Sequence, residues 1–275
     1  MWSKNPMSKV TLEPEVMTEE IRLSVVIPAF GEEGTIGPTL ERIRAELSEH
    51  LEPNDLEIVV VDDGSSDATA QQAKLAGADV VIEFSKNRGK GAAVRAGMLG
   101  ASGRVRAFTD ADLSYAPRQI MSLLEGIEAG ADAVTGNRYH PDSQTITETT
   151  GLRRIGSKAI NQTTRLVLQK PYADTQSGLK AFRAAVAEVV FKRCQIDGFA
   201  FDVEVLHLLE RYNLKVVDVP VEVANSASST VHLLADGMLF IKDLSRINRL
   251  AKSGAYDLTS QERDLLLLGT TAAEG

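Results

Sequence analysis

The sequence of 275 residues contains very few of the residues that build disulfides and zinc sites, with one cysteine, Cys194, and four histidines. A single cysteine excludes an internal disulfide, and four scattered histidines argue against a zinc site, so we interpret Cys194 as structural. No apolar run approaches the roughly 18 to 20 residues that cross a bilayer, and residues 1–20 lack the apolar core of a signal peptide. We therefore expect a cytoplasmic protein with a disordered leader over residues 1–20.

Two common nucleotide-binding motifs are also missing. The turn after the first apolar run lacks G-x-G-x-x-G, and the chain contains no G-x-x-x-x-G-K-S/T, which weakens the dehydrogenase and kinase interpretations. The net charge of -8 argues against general binding to nucleic acid. The hydrophobic share of 43% and the charged share of 25% are ordinary for a globular protein, and the length allows one large α/β domain or a domain with an appendage.

What the sequence does contain is a regular alternation of strand-like and helix-like segments. Strands are predicted from apolar runs at residues 23–27, 56–61, 80–82, 105–109, 131–135 and 216–223. Pro28 is expected to end the first of them. The helix that follows has inward residues at helical spacing, namely Ile36, Leu40, Ile43 and Leu47. This alternation implies a parallel sheet with crossover helices.

Acidic residues follow two of the predicted strands, and a basic glycine-rich segment follows a third. Asp110 and Asp112 come directly after the run that ends near Phe108, at the edge where open α/β sheets place ligands. Two close carboxylates repel each other unless a cation lies between them, and hard divalent cations prefer oxygen ligands. The pair therefore indicates a metal site, with a solvated turn as the alternative. Residues 86–91, which open a helix, indicate a phosphate contact or, alternatively, a glycine turn with surface lysines.

A second basic segment stands out against the acidic background. From residue 151 to residue 170 the chain has no Asp or Glu, and its basic residues are Arg153, Arg154, Lys158, Arg165 and Lys170. An anionic acceptor such as a lipid phosphate would need a clamp of this kind, because arginine offers paired donors to phosphate oxygens. The alternative is a solvated basic face of a helix.

Six motifs in one order resemble glycosyltransferase family 2, and within it the polyprenyl-phosphate (dolichyl-phosphate) hexosyltransferases. They are VVIPAFGEEGTI, VVVDDGSSDAT, NRGKGAAVRAG, TDADLS, GNRY and DTQSGLKAF, between about residue 23 and about residue 250. The resemblance implies an α/β fold of the GT-A type, a Rossmann-like and mostly parallel sheet flanked by helices with a C-terminal helical extension. We expect a leader at 1–20, a catalytic domain at 21–225, and an amphipathic helix with a tail at 226–275.

The same resemblance assigns the donor side of the site. It implies a nucleotide-sugar donor and Mg²⁺ or Mn²⁺ held by Asp110 and Asp112. Asp63 would contact the base, while Lys90 and Arg95 would lie near the donor. The remaining residues expected to border the donor are Pro28, Ala29, Glu32 and Ala111.

The resemblance also assigns the acceptor side. Four basic residues are expected near the acceptor phosphate: Arg138, Arg153, Arg154 and Lys158. Asp174 is expected to be catalytic, and it would orient a phosphate acceptor, which is already anionic, or act as the base towards a hydroxyl acceptor. Asp202 and Glu204 either share in the site or stabilise the start of a helix with inward residues Phe201, Val205, Leu208 and Leu209.

Three positions depart from the family pattern. Gly31 stands where Asn is usual, Ser114 stands where mannosyl enzymes commonly carry Gln, and Thr230 stands where Lys is frequent. The D-A-D-L-S form resembles the glucosyl branch and favours UDP-glucose, with a GDP-sugar as the alternative. We therefore predict an inverting, metal-dependent transfer of a hexose to a polyprenyl phosphate. The alternatives are a transferase acting on a soluble hydroxyl acceptor and a non-catalytic protein that binds nucleotide sugars.

The last predicted helix has two distinct flanks. Its apolar stripe is Leu234, Met238, Ile241, Leu244, Ile247 and Leu250, and its basic flank is Lys242, Arg246 and Arg249. Such a helix could rest on the inner face of the cell membrane as a peripheral contact. The alternative is packing against the domain core or against a second subunit of a homo-oligomer. One more short helix is predicted around residues 265–268.

Overall fold

The computed structural model describes residues 20–145, 162–224 and 233–268, which are organised around a seven-stranded sheet. The strands are β1 (Leu23–Ala29), β2 (Leu56–Asp62), β3 (Val80–Glu83), β4 (Val105–Phe108), β5 (Ala133–Asn137), β6 (Gln144–Thr145), β7 (Lys180–Arg183), β8 (Val216–Pro220) and β9 (Glu222–Val223). The helices are α1 (Ile36–Leu47), α2 (Thr69–Leu75), α3 (Lys90–Gly100), α4 (Gln119–Glu128), α5 (Ala184–Arg193), α6 (Phe201–Arg211), α7 (Leu233–Lys252) and α8 (Ser260–Leu268). The order across the central sheet is β3-β2-β1-β4-β7-β5-β8. The predicted last strand is divided at Val221 into β8 and β9, and β9 pairs with β6.

One strand of the central sheet runs against the others. β1 is parallel to β2 and β4, and β5 is parallel to β8, whereas β7 is antiparallel to β4 and β5. The sequence indicated only an apolar stretch at residues 179–182, because local periodicity carries no information on strand direction. The register pairs Lys180, the first residue of β7, with Phe108, the last residue of β4. The chain that enters β7 therefore arrives at the edge where Asp110 leaves β4.

β1 continues two residues beyond its predicted end, through Pro28 to Ala29. The carbonyl of Val26 accepts a hydrogen bond from Thr109 at 3.1 Å on the β4 side, and that of Ala29 accepts one from Asp63 at 2.8 Å on the β2 side. Backbone groups of successive strand residues point to opposite neighbours, so Pro28 faces the β4 side. The β1–β4 pairing has already ended at Val26. Proline has no amide hydrogen to donate. At Pro28 this costs no sheet hydrogen bond, because the position lies beyond the last β1–β4 pair.

The central sheet is buried on both faces. Val25 and Ile27 pack with α1 and α4 on one face, while Val26 packs with α3, α5, α6 and α7 on the other. This explains why the central strands appear in the sequence as largely apolar runs without a regular alternation of polar residues. The four predicted inward residues of α1 are all fully buried, which confirms them: Ile36, Leu40, Ile43 and Leu47.

The apolar stripe predicted for helix α7 is divided between buried and exposed positions. Phe240, Leu244 and Ile247 are buried, whereas Met238 is 72% exposed and Ile241 is 52% exposed. Leu244 and Ile247 of the predicted stripe therefore pack inward beside Phe240, whereas Met238 and Ile241 lie on the exposed side of the helix. The predicted C-terminal helix is confirmed as α8.

The predicted site residues Arg153, Arg154 and Lys158 fall outside the described residues, as do Thr230 and residues 1–19 of the leader predicted over 1–20. In the portion of the chain that the structure covers, no helix combines the length and the apolar character required to cross a membrane.

Candidate active site

The two aspartates of the D-A-D sequence lie on a tight turn just after β4. The amide of Leu113 donates to the carbonyl of Asp110 at 3.2 Å, and Leu113 has a φ of 47°, in the left-handed region. Ser114 donates to the Asp112 carboxylate from its amide at 3.0 Å and from its hydroxyl at 2.9 Å. Ala111, between the aspartates, is buried. The turn thus directs two carboxylates from the carboxyl edge of the sheet, as the sequence predicted.

Asp110 is held by groups from two other parts of the chain. Lys90, at the start of α3, forms an ion pair with the Asp110 carboxylate. Burial lowers the pKa of Lys90, but the charges of Asp110 and Asp202 outweigh this and leave the pKa above its ordinary value. On the other side Gly178 packs so closely on the Asp110 carboxylate that a Cβ would overlap it. The segment that enters β7, which contains Gly178, therefore forms one wall of the site.

The donor set of this turn fits a hard divalent cation. Asp110 keeps 31% of its side chain exposed and Asp112 is exposed, so carboxylate oxygens face the open edge. Within the described ranges, no group of three or more Asp, Glu, His or Cys side chains could hold a metal ion. Among the described residues, the two carboxylates would be the ligands for Mg²⁺ or Mn²⁺, and further oxygens, such as those of a substrate or of water, would complete the coordination.

The segment after β1 is fixed to the segment after β2 by backbone-to-hydroxyl bonds. The amide of Gly31 donates to Ser65 Oγ at 2.9 Å, and the amide of Glu32 donates to Thr69 Oγ1 at 2.8 Å. Pro28 and Ala29 form the end of β1 directly before this segment. The structure therefore places the predicted donor-bordering residues Pro28, Ala29 and Glu32 at the same sheet edge as the D-A-D turn.

Asp63 is buried and bound to the chain itself. Its two carboxylate oxygens accept the amides of Arg88 and Gly89, each at 2.8 Å. Gly64 lies against the backbone of Lys86 and Asn87, leaving no space for a Cβ. Asp63 thus shapes the loop that leads into α3, and its contact with a base stays a prediction.

Arg95 and the amino end of α3 contact the loop before α6. Arg95 Nη2 donates to Asp197 Oδ1 at 2.5 Å, and Nη1 donates to the Cys194 carbonyl at 3.3 Å. The amide of Ala92 donates to the Asp197 carbonyl at 3.2 Å. One of the amides at this helix start is therefore bound within the protein. A donor contact through Arg95 stays a prediction.

The acceptor side contains a tight pair between Arg138 and Asp174. Arg138 donates to Asp174 from Nε and from Nη2, both at 2.7 Å, and from its amide at 3.0 Å. The Asp174 side chain is 1% exposed, while that of Arg138 is 36% exposed. Burial raises the pKa of Asp174, but the hydrogen bonds and charge of Arg138 outweigh it and hold the pKa below its usual value. Asp174 is thus ionised near neutral pH and a weak base, and its catalytic role stays a prediction.

A buried ion pair beneath the site was not predicted. Lys180 is fully buried, and its Nζ donates to Asp202 Oδ1 and to the Ser177 carbonyl, both at 2.6 Å. The same Nζ lies 5.6 Å from the centre of the Phe108 ring. Burial raises the pKa of Asp202, against the opposing charge of Lys180. The signal in the sequence was a lysine inside an apolar run, S-G-L-K-A-F.

Two further residues at the site were missed. Thr39 of α1 donates its hydroxyl to the Ala111 carbonyl at 2.6 Å. Tyr115 is buried with its hydroxyl 3.4 Å from Ser177 Oγ, and burial raises the pKa of Tyr115. Both depend on packing between distant segments, and no local pattern marks them.

Comparison with known proteins gives a consistent family. The family model described as Glycosyl transferase family 2 matches residues 24–191. A dolichyl-phosphate beta-glucosyltransferase of Drosophila melanogaster is 34% identical over 216 residues, covering 73% of this chain and 66% of that protein. The dolichyl-phosphate beta-glucosyltransferase of Saccharomyces cerevisiae is 31% identical over 259 residues, covering 86% of this chain and 77% of that protein.

Solved structures show the same fold. A crystal structure of glucosyl-3-phosphoglycerate synthase from Mycobacterium tuberculosis, in complex with Mn²⁺, UDP and glucosyl-3-phosphoglycerate, has a TM-score of 0.60 and 20% identity. The match covers 85% of this chain and 80% of that chain. At this identity the likeness concerns the fold alone, and it confirms the predicted GT-A arrangement.

Proposed function

The chain belongs to glycosyltransferase family 2, and we propose that it transfers glucose from UDP-glucose to a polyprenyl phosphate in a metal-dependent, inverting reaction. The names of the relatives at about 30% identity support glucose and a lipid phosphate. The D-A-D-L-S form of the turn supports the same choice of sugar. A GDP-sugar is the alternative donor.

One observation carries this proposal. The D-A-D turn after β4 and the Arg138–Asp174 pair lie on the two sides of the segment that enters β7, whose Gly178 contacts Asp110. A cation-binding pair of carboxylates and an oriented arginine thus occupy one edge of the sheet. A nucleotide diphosphate and a phosphate acceptor require this combination.

On the donor side, Asp110 and Asp112 would hold Mg²⁺ or Mn²⁺. When bound, such an ion would neutralise charge that develops on the leaving diphosphate. Lys90 is a cation at the same place, since its pKa is raised by Asp110 and Asp202, and we propose that it also faces the diphosphate. The segments after β1 and β2, which are bonded to each other, would border the nucleoside.

On the acceptor side, Arg138 would bind the phosphate of the lipid. Asp174 fixes its guanidinium through two hydrogen bonds while a third of the Arg138 side chain stays exposed. We propose that Arg153, Arg154 and Lys158, which lie outside the described residues, complete the clamp. An ionised phosphate oxygen needs no base to attack the sugar carbon, so Asp174 orients and does not abstract a proton.

The alternative, a hydroxyl acceptor with Asp174 as the base, is less well supported. A general base works best with a pKa near the operating pH. Arg138 moves the pKa of Asp174 in the opposite direction, and both carboxylate oxygens accept hydrogen bonds from it.

We also propose that α7 contacts the membrane that holds the acceptor. Its outer face combines exposed apolar side chains, Met238 and Ile241, with the basic residues Lys242, Arg246 and Arg249. An apolar and basic face of this type suits an interface with anionic lipids.

The substrates are tested by incubating the full chain with UDP- and GDP-sugars and Mn²⁺, together with either a short polyprenyl phosphate or a panel of soluble hydroxyl acceptors, with mass detection of products. We expect a lipid-phosphate hexose from UDP-glucose. Product on a soluble hydroxyl acceptor but on no lipid phosphate would instead support the alternative.

A further inference from the structure

A buried hydrogen bond joins helix α1 to the residue between the two aspartates. Thr39 Oγ1 donates to the carbonyl oxygen of Ala111 at 2.6 Å, across 72 positions of the chain. Both residues are buried, so water does not compete for this bond. A buried carbonyl that loses its partner keeps the cost of its desolvation.

The turn that receives this bond is conformationally costly. Leu113 has a φ of 47° although it is neither glycine nor asparagine, and its side chain is buried. Such a backbone conformation persists only where surrounding contacts fix it. Bonds within the turn link Leu113 to Asp110 and Ser114 to Asp112. The bond from Thr39 ties the turn to a different element.

Helix α1 is a firm support for that bond. Ile36, Leu40 and Ile43 are fully buried on α1, on the same face of the sheet as Ala111. The segment just before α1 is bonded to the segment after β2 through Gly31 and Glu32. Thr39 therefore connects the D-A-D turn to the segments that we propose border the nucleoside.

We propose that Thr39 is a positioning residue that fixes the direction of the Asp110 and Asp112 carboxylates for a divalent cation. The Ala111 carbonyl belongs to the peptide group that joins Ala111 to Asp112, so its orientation sets how the Asp112 side chain leaves the backbone relative to that of Asp110. The inference rests on the proposed function through the metal site. Thr39 itself contacts neither the metal nor the sugar.

The test compares Thr39→Val, which keeps the shape and removes the hydroxyl, with Thr39→Ser, which keeps the hydroxyl. Mn²⁺ affinity is measured by electron paramagnetic resonance on the full chain without substrate. We expect Thr39→Val to bind Mn²⁺ roughly tenfold more weakly, the effect of one buried hydrogen bond, and Thr39→Ser to bind within about threefold of the wild type. The Mn²⁺ affinity of Thr39→Cys, which has a weak S–H donor, should lie between those of Thr39→Val and Thr39→Ser. This variant replaces Thr39→Val in the comparison if Thr39→Val does not fold.

Ser24→Ala is the matched control for stability. Ser24 is fully buried on β1, donates to Glu57 and accepts the amide of Gly103 at 2.7 Å. The Ser24→Ala protein should lose stability and bind Mn²⁺ as the wild type does. Equal Mn²⁺ affinity in Thr39→Val and wild type would overturn the inference.

Hydrogen exchange separates this inference from the proposed function. If the wild type binds no Mn²⁺, the proposed metal site is wrong, and the exchange rates of the amides at 111–114 then decide the role of Thr39 alone. Faster exchange in Thr39→Val than in Thr39→Ser supports the positioning role. Unchanged exchange contradicts it.

Discussion

At the scale of single residues, Asp174 shows how one partner decides the state of a buried group. The carboxylate is almost completely buried, which favours its neutral form, yet three hydrogen bonds from Arg138 keep it ionised. The same bonds fix the plane of the guanidinium. The pair therefore stabilises the fold and presents an oriented cation at the sheet edge.

Replacing Arg138 with Gln should lower the free energy of unfolding by about 2–3 kcal/mol at pH 7. This is less than for a fully buried pair, because Arg138 is one third exposed. The folded-state pKa of Asp174 lies below its ordinary value of 3.8. The contribution of the pair is therefore fully present above about pH 4 and is lost as the pH falls through the folded-state pKa. Urea unfolding at pH 7, 5 and 3.5 measures this.

The matched control is Arg22→Gln. Arg22 also makes a bidentate pair, with Glu128, but both side chains are about one third exposed. That substitution should cost less than about 1 kcal/mol. Two results would show that the pair does not stabilise ionised Asp174. The loss of unfolding free energy in Arg138→Gln could equal that in Arg22→Gln, or it could grow as the pH falls below 4.

Some residues of the candidate site could be predicted from the sequence, and others could not. Asp110, Asp112 and Lys90 stand at strand and helix ends in motifs, so local patterns and the family resemblance identified them. Thr39 and Lys180 act through contacts with residues more than 20 positions away. Such contacts depend on how the elements pack, which no short pattern records.

At the scale of elements, a chain of contacts runs from the C-terminal segment to the start of α3. Tyr256, fully buried, donates to Glu204 of α6 at 2.6 Å. Glu204 accepts the amides of Gln195 and Ile196, each at 2.8 Å, and Asp197 then accepts the amide of Ala92 in α3. The segment after α7 therefore supports the loop on which the helix of Lys90 rests.

Tyr256→Phe should remove about 1.5–3 kcal/mol of stability, since the lost bond is made to a buried carboxylate. It should also speed hydrogen exchange in residues 89–98. Tyr172→Phe is the matched control, because the Tyr172 hydroxyl is buried and has no hydrogen-bond partner among the residues that the structure describes. That change should shift stability by no more than about 0.5 kcal/mol. Equal effects of the two substitutions would contradict the supporting role of Tyr256.

The elements themselves were largely predictable, and their directions were not. Parallel strands such as β1 and β2 are mostly apolar, and α1 repeats its apolar residues at helical spacing, so both types of element can be recognised in the sequence. The insertion of β7 against the direction of β4 depends on long-range pairing. The sequence did not reveal which residues of the α7 stripe pack inward, because apolar residues occur on more than one side of this helix.

Met238→Asp tests the proposed membrane face of α7. The substitution adds a negative charge and removes an exposed apolar side chain, so binding to phosphatidylserine vesicles should weaken roughly tenfold or more. Leu75→Asp is the matched control, since Leu75 on α2 is 73% exposed and Met238 is 72% exposed. Co-sedimentation of the full chain with vesicles measures both. Equal binding by the two variants would place the membrane contact elsewhere.

At the scale of the whole molecule the net charge is -8, but at the sheet edge acidic side chains are largely paired with basic ones. Lys90 pairs with Asp110, Lys180 with Asp202 and Arg138 with Asp174, and Asp112 adds one further carboxylate. In the proposed function, the parallel half of the sheet would provide the donor side, and β7 with the segment that enters it would provide the acceptor side. The proposed function depends on both halves meeting at Asp110.

The central claim is that the D-A-D turn binds the metal that supports transfer to a lipid phosphate, and one assay tests it most directly. Asp112→Asn is compared with Asp55→Asn, which removes the same charge before β2 at the opposite edge of the sheet. UDP-glucose, Mn²⁺ and a short polyprenyl phosphate are supplied, and the lipid-phosphate hexose is measured by mass.

We predict product with the wild type and with Asp55→Asn, and loss of product when a metal chelator is added. For Asp112→Asn we predict a transfer rate at least roughly 100-fold lower than that of the wild type, with no loss of stability. Transfer by Asp112→Asn at the wild-type rate would contradict the account.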